Sequence, residues 1–223
     1  MKKLSIVMTV VILMFSSCKY DNFDEPTSVI EGKITYNGKT LGFRSNALNL
    51  QLWQSGFGLY TSVSVAVNQD GTFRALMFDG DYKLINATGT TQPWVYRSDT
   101  VFFNLKSKAE IDYQVTPYFI INDETYSKSG NNMTANCKLE KIVSTATLQS
   151  ATLYVSRTAI CNENYKEASQ QLNASAITDL NNVNFTVAIP QRLIDFGYCY
   201  VRLGVKVSQA SERLYTQVQK ITF

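Results

Sequence analysis

The stretch DGTFRALMFDGDYKL, residues 70–84, decides how this chain is built. It contains two Asp-Gly dipeptides, which are frequent in tight turns because both residue types tolerate backbone angles that others avoid. After each dipeptide, apolar and polar residues alternate with the period of two that is typical of a half-buried β-strand. The stretch therefore predicts two strands, 72–78 and 81–86, separated by a turn. The side chains expected in the core are Phe73, Tyr82 and Leu84.

The same pattern extends along the chain in both directions. About seven alternating segments lie within residues 28–116, enough for one β-sandwich. After Pro117 the pattern resumes, although the polar segment 159–171 is expected to hold a short helix or a long surface loop. Because no stretch keeps a helical period over three turns, helix content should be low. We predict an all-β protein with two β-sandwich domains in tandem, 27–117 and 118–223.

The composition excludes several functional classes. None of the 223 residues is histidine, which rules out Ser-His-Asp catalysis, Cys-His catalysis and most zinc sites. The 21 basic and 18 acidic residues leave no basic patch for nucleic acid. We therefore expect no catalytic residues, no cofactor and no metal. A calcium site is an alternative that turn chemistry explains equally well, and its ligands would be Asn68, Asp70, Asp79 and Asp81.

The first 26 residues have the pattern of an export and anchoring segment. Lys2 and Lys3 precede an apolar run of about 12 residues, which is too short to span a bilayer. Two serines and Cys18 follow, as in a bacterial lipobox, where the cysteine is lipidated and becomes the first residue. An ordinary signal peptide is the alternative. We predict a signal peptide at 1–17 and a lipidated tether at 18–26, with the acyl chains at Cys18 in the outer membrane.

Two domain resemblances accompany these patterns. The segments DGTF at residues 70–73 and GDYKL at residues 80–84 resemble the carboxypeptidase regulatory-like domain, which has a transthyretin-like sandwich. The second half resembles an Ig-like or fibronectin-like sandwich. In Ig domains a cysteine pair faces across the core, so this resemblance implies a disulfide between Cys137 and Cys199, with two buried free thiols as the alternative. Cys161 is expected to be free.

Three motifs resemble a family of Bacteroidota surface lipoproteins of unknown function. They are YDNFDEPTSVIEGKITYNG at residues 20–38, LQLWQ at residues 50–54 and VTPYF at residues 115–119. Members are encoded beside starch-utilisation-type (Sus-like) outer-membrane transporters and their glycan-binding lipoproteins, and no catalytic residues are assigned to them. The acidic residues behind Cys18 also resemble the signal that sends such lipoproteins to the cell surface. The resemblance implies an accessory role in glycan uptake there.

Aromatic residues of the first half are the candidate ligand contacts. Three leucines of the strand predicted at 47–53 face one way, so Trp53 faces the other. Exposed rings can stack on the C–H faces of sugars, and packing under loops or at the domain junction is the alternative. The other candidate rings, in two loops, are Phe57, Tyr60, Trp94 and Tyr96.

Together these patterns predict a non-catalytic, lipid-anchored protein on the cell surface. It would serve a glycan-uptake system by binding a polysaccharide, an oligosaccharide or a Sus-like transporter protein. The alternative is a structural or adhesive surface subunit that makes protein contacts only.

Overall fold

The computed structural model describes residues 24–56, 59–87, 91–96 and 100–223. These residues fold almost entirely into β-strands, which form two domains in tandem. The prediction of an all-β protein with two successive β-sandwiches is confirmed. Within the described ranges, no helix is long and apolar enough to cross a membrane.

The first domain is a sandwich of two four-stranded sheets. Its strands are β1 (Ser28–Tyr36), β2 (Lys39–Thr40), β3 (Asn49–Gln54), β4 (Ser62–Ala66), β5 (Thr72–Met77), β6 (Gly80–Asn86), β7 (Val101–Leu105) and β8 (Lys108–Gln114). In one sheet β1 is central, with β2 and β5 antiparallel on one side and β8 parallel on the other. The other sheet has the order β4-β3-β6-β7 and is entirely antiparallel.

The Asp79-Gly80 turn joins the two sheets of this sandwich. Strand β5 pairs with β1, whereas β6 pairs with β3 and β7. Gly80 has a φ of 150°, which side-chain-bearing residues rarely adopt. The Asp79 carboxylate accepts hydrogen bonds from the Ser28 hydroxyl and, at 3.1 Å, from the Ser107 backbone N–H. The turn therefore fixes both sheets to each other. The three core side chains predicted from this stretch are buried: Phe73, Tyr82 and Leu84.

The hydrogen bonds to Asp79 lower the pKa of its carboxyl, the bond from Ser28 most and that from Ser107 next, because both favour the charged form. Such a carboxyl stabilises the fold above its unfolded pKa of about 3.9, and the effect disappears as the pH falls through the lower folded value. Asp79→Asn should therefore lower the melting temperature near neutral pH, and this difference should shrink below about pH 4. Thermal unfolding followed by circular dichroism across that range measures both effects.

Asp24→Asn is the matched control, because Asp24 is exposed at the start of the described chain. It should leave the melting temperature unchanged at every pH. A melting-temperature difference for Asp79→Asn that stays constant from neutral to acidic pH would contradict the role of the charge.

The second domain is a sandwich of a three-stranded and a five-stranded sheet. Its strands are β9 (Phe119–Ser129), β10 (Asn132–Lys141), β11 (Leu148–Ser156), β12 (Ala168–Asn173), β13 (Val183–Ala188), β14 (Tyr198–Val207), β15 (Leu214–Tyr215) and β16 (Gln219–Thr222). The smaller sheet has the order β13-β10-β9. In the larger sheet β12, β11 and β14 follow one another, and β15 and β16 both pair with β14.

Two segments of this domain differ from the expectation. The polar segment expected to be a helix or loop ends in strand β12, in which half-buried and exposed residues alternate. Strand β12 is polar because it pairs with β11 on one side only and lies at the sheet edge. The α-helix of the domain, α1 (Gln191–Phe196), instead follows Pro190, outside that polar segment.

The cysteines of the described part are all free and buried. The prediction of a disulfide between Cys137 and Cys199 is therefore wrong. The prediction that Cys161 is free is confirmed. Cys137 and Cys199 pack in the main core as small apolar groups. Burial raises the pKa of Cys137 to about 12 and that of Cys199 to about 11. Both thiols are therefore protonated at neutral pH, and the thiolate needed for disulfide chemistry is suppressed.

A buried interface joins the two domains. Most buried apolar residues of both domains form one continuous cluster, and a smaller cluster consists of Tyr154, Cys161 and Tyr215 of the second domain. Gly42 of the first domain forms a two-way β-bridge with Tyr215 of the second, with N–H···O distances of 3.2 and 2.9 Å. A Cβ atom at Gly42 would lie 2.5 Å from the Arg202 Nη2 atom and 2.8 Å from the Tyr215 carbonyl oxygen. The close approach of the domains at this point therefore requires glycine.

Arg202 of β14 lies at the centre of this interface, fully buried. In its own domain, its Nε atom donates to the Thr216 carbonyl at 2.7 Å. Across the interface, Nη1 donates to the Phe43 carbonyl at 2.8 Å and Nη2 to the Gln69 carbonyl at 2.7 Å. Burial lowers the pKa of Arg202 to about 10, so the guanidinium is still charged at neutral pH. The Tyr215 ring, 4.5 Å away, contributes a cation–π contact.

Polar contacts surround Arg202 at the edge of the interface. Arg44 donates to the Glu212 carboxylate through two nitrogens, and the bond from Nε measures 3.0 Å. Glu163 lies 3.7 Å from the same guanidinium. Gln217 Nε2 donates to the Asp70 carbonyl at 3.0 Å. The first turn of the quoted stretch is thus held by the second domain.

Arg202→Met should destabilise the protein by about 2–4 kcal/mol, since three buried carbonyl groups lose a charged donor and the relieved desolvation of the guanidinium offsets only part of that loss. Methionine keeps the apolar stem and fills most of the space. Urea unfolding followed by tryptophan fluorescence measures the free energy of unfolding.

Arg74→Met provides the control, because Arg74 is exposed on β5 of the first domain. It should change the free energy of unfolding by less than about 0.5 kcal/mol. An Arg202→Met protein as stable as the control would show that the interface does not depend on this guanidinium.

Candidate functional site

The outward face of the sheet β4-β3-β6-β7 carries the candidate site. Strand pairing aligns four residues in one row across this face, in the order Ser62, Trp53, Lys83 and Phe102. Adjacent strands are about 4.8 Å apart, so the backbone positions of Trp53 and Phe102 are separated by about 10 Å. The predicted orientation of Trp53 is confirmed, because the leucines of the opposite face are buried: Leu48, Leu50 and Leu52.

Trp53, Tyr60 and Lys83 form a compact cluster at one end of this row. The two ring centroids are 5.0 Å apart with an interplanar angle of 43°. The Lys83 Nζ atom lies 5.1 Å from each centroid, a cation–π arrangement that holds the rings in place. Tyr60 is 52% exposed. The Trp53 Nε1 donor is buried and has no hydrogen-bond partner among the described residues.

Phe102 marks the other end of the row. It is 77% exposed, although it lies inside a regular strand. In the next row Asn104 Nδ2 donates to Asp81 Oδ1 at 2.7 Å. On the other side, Gln51 and Ser64 form a polar cross-strand pair. The face therefore combines apolar ring surfaces with amide, hydroxyl and carboxylate groups, which suits a ligand with apolar faces and polar edges.

Trp94 does not belong to this site. It is 2% exposed and packs edge to face on Phe43, with ring centroids 5.4 Å apart. Its backbone forms a β-bridge with Pro117, which draws the ring into the domain junction. The prediction of Trp94 as a ligand contact is therefore wrong, and the alternative of packing at the junction is correct.

The remaining candidate rings lie apart from the row or outside the described part. Tyr96 is 46% exposed and follows Trp94 in the same segment. No described contact joins Tyr96 to the row across the sheet. Phe57 lies outside the described residues.

Sequence reasoning missed Lys83 and Phe102. A signal for Phe102 was present, because residues 101–105 alternate, with Val101 and Phe103 more buried than Phe102. Lys83 was visible only as one polar residue of the strand in the quoted stretch. Its place between two aromatic side chains depends on pairing between strands distant in sequence.

The carboxylates of the two Asp-Gly turns and of Asp81 accept hydrogen bonds from neighbouring backbone and side-chain groups. Asp70 accepts from the Thr72 backbone N–H at 3.0 Å, and Asp79 and Asp81 accept the bonds described above. In the described ranges, no three His, Cys, Asp or Glu side chains come together as a metal site would require. The described residues of this face can therefore bind a ligand through aromatic rings and hydrogen-bonding groups.

Known structures resemble this fold over most of the chain. A DUF3823 family protein from Bacteroides ovatus is 31% identical, with a TM-score of 0.81, over 88% of this chain and 99% of that chain. A DUF3823 family protein from Parabacteroides merdae is 33% identical, with a TM-score of 0.82, over 89% of this chain and 100% of that chain. No curated protein matches the chain.

A more distant structure shares the fold. It is described as a "putative carbohydrate binding protein" from Bacteroides uniformis, and it is 21% identical to this chain, with a TM-score of 0.69. The likeness covers 89% of this chain and 100% of that chain.

Family comparison gives the same division of the chain as the structure. Residues 28–116 match the family described as "Protein of unknown function (DUF3823) N-terminal domain". Residues 119–220 match the "Domain of unknown function (DUF3823_C)". With both halves matched in order, the chain belongs to the DUF3823 family.

Proposed function

We propose that this protein is a non-catalytic, lipid-anchored glycan-binding protein of the cell surface. The observation that carries the proposal is the row across the sheet β4-β3-β6-β7. There the backbone positions of Trp53 and Phe102 are about 10 Å apart, and Lys83 lies between them in the row.

The physical basis is the match between the row and a sugar chain. A pyranose has an apolar C–H face that stacks on a ring and a polar edge that needs hydrogen bonds. Trp53 and Phe102 supply the stacking surfaces, while Gln51 and Asn104 flank them on either side. Because the backbone positions that carry the two rings are about 10 Å apart, the row favours an oligosaccharide over a single sugar. Because the face is an open sheet rather than an enclosed pocket, a polysaccharide could pass across it.

The comparison with similar proteins also supports glycan binding. The Bacteroides uniformis protein that shares the fold is described as a "putative carbohydrate binding protein". The family itself is of unknown function. An accessory role beside a Sus-like transporter would agree with glycan capture at the membrane.

Trp53→Ala and Phe102→Ala should each weaken polysaccharide binding by about 1–2 kcal/mol, roughly 5–30-fold, because each removes one stacking surface. Affinity electrophoresis against a panel of plant and host polysaccharides identifies the ligand. Titration calorimetry with that ligand then gives the affinities of the variants.

Tyr165→Ala is the matched control, since Tyr165 is 62% exposed on the second domain, away from the row. It should bind like the natural protein. If Trp53→Ala and Phe102→Ala both bind normally and remain folded, the sheet face is not the glycan site.

The anchor is a separate part of the proposal. Cys18→Ala should block lipidation and release the protein from the membrane fraction, because two or three acyl chains supply the membrane affinity. Palmitate labelling of the natural protein and of the variant, followed by fractionation, measures this. A natural protein that takes up no label would contradict the lipoprotein assignment.

An apolar cleft supports a second candidate function, a subunit that makes protein contacts. The cleft has a volume of about 330 Å³ and lies at the open edge of the first sandwich. Leu59, Val63 and Leu76 line it and are 80%, 46% and 54% exposed. Exposed apolar surface of this kind often contacts another protein. Affinity electrophoresis distinguishes the two candidate functions. If no polysaccharide retards the protein, the protein-contact function is favoured.

A further inference from the structure

A second group of aromatic and cationic side chains lies on the second domain. The Phe196 and Tyr198 rings are 6.5 Å apart, and the Tyr198 and Tyr200 rings are 6.0 Å apart, edge to face. Lys220 Nζ lies 4.3 Å from the centre of the Tyr198 ring. The Arg157 guanidinium lies 5.6 Å from the centre of the Phe196 ring. We call these five residues the tyrosine cluster.

The backbone fixes the tyrosine cluster in place. Gly197, with a φ of 75°, ends α1 and separates Phe196 from Tyr198. Tyr198 and Tyr200 extend from the same face of β14, because they are two residues apart in a strand. Tyr200 pairs with Lys220 of β16. The rings and the lysine are therefore held by paired strands rather than by a loop.

The cations of the cluster have no acidic partner in the described chain. Neither Arg157 nor Lys220 forms an ion pair with a described carboxylate, and both are exposed. The neighbouring acids are engaged elsewhere: Asp195 accepts from Gln191 Nε2 at 2.8 Å, and Glu167 pairs with Arg192. The cluster therefore presents two cations, without an acidic partner among the described residues, beside the exposed Phe196 ring and the half-buried rings of Tyr198 and Tyr200.

We propose that the tyrosine cluster is a second ligand site, and that its ligand is an acidic sugar unit of a polysaccharide. The carboxylate of a uronic acid would lie against one of the two cations, Arg157 beside Phe196 or Lys220 beside Tyr198, where the anion finds a charged donor. The C–H face of the same sugar would stack on Phe196, which is 51% exposed. This site uses other residues and the other domain, so it stands independently of the sheet-face site.

The test uses the full chain, polygalacturonate, and the same polymer with its carboxyl groups reduced to alcohols. Arg157→Gln/Lys220→Gln should weaken polygalacturonate binding about tenfold at low salt, and the loss should diminish as salt screens the charges. Binding to the reduced polymer should not change. Lys138→Gln/Lys141→Gln removes the same charge from β10 and should bind like the natural protein.

A Trp53→Ala/Phe102→Ala background separates the two sites. Retention of polygalacturonate binding in this background, and its loss when Arg157 and Lys220 are also changed, would support the second site. If the Arg157→Gln/Lys220→Gln variant binds polygalacturonate as well as the natural protein does, the proposed second site is overturned. This holds whether or not the sheet face binds glycan. Binding to phosphatidylglycerol vesicles but not to polygalacturonate would also overturn the assignment to an acidic sugar.

Discussion

A single buried guanidinium determines how the two halves of this protein fit together. Arg202 is charged and fully enclosed, and it donates to carbonyl groups of both domains rather than to a carboxylate. A buried cation without these acceptors would cost several kcal/mol, so the domains are stable only where the Phe43 and Gln69 carbonyls reach it. Gly42 makes room for Arg202, because a side chain at this position would occupy the place of the guanidinium.

This interface also decides which surfaces remain open. The first domain uses the segment around Gly42 and the turn at Gln69 to contact the second domain. The outward face of its sheet β4-β3-β6-β7 therefore lies away from the interface, and among the described residues it carries the exposed Phe102 and the half-buried Trp53. In the second domain, Arg202 extends from the same face of β14 as Tyr198 and Tyr200. The first domain buries this face at Arg202, whereas Tyr198 and Tyr200 are only half-buried.

The local patterns of the sequence were sufficient for the fold but only partly for the site. Alternation and Asp-Gly turns predicted the buried positions of Phe73 and Leu84 and the outward direction of Trp53, because these depend on strand periodicity alone. Trp94 instead follows a proline in a polar loop segment, where no alternation predicts the direction of the side chain. Its burial depends on a bridge to Pro117 across the domain junction, which no local pattern reveals. The same holds for Lys83, whose position between rings is created by long-range strand pairing.

The bonds of Arg202 also have a consequence for the order of folding. Its partners Phe43 and Gln69 lie 159 and 133 positions earlier in the chain. During synthesis those carbonyl groups leave the ribosome long before β14 does, and water must satisfy them until then. Contacts so distant in sequence form late, because a long loop has to close first. A chain that ends before β14 would therefore leave the Phe43 and Gln69 carbonyl groups to water, because the guanidinium that binds them has not yet been made.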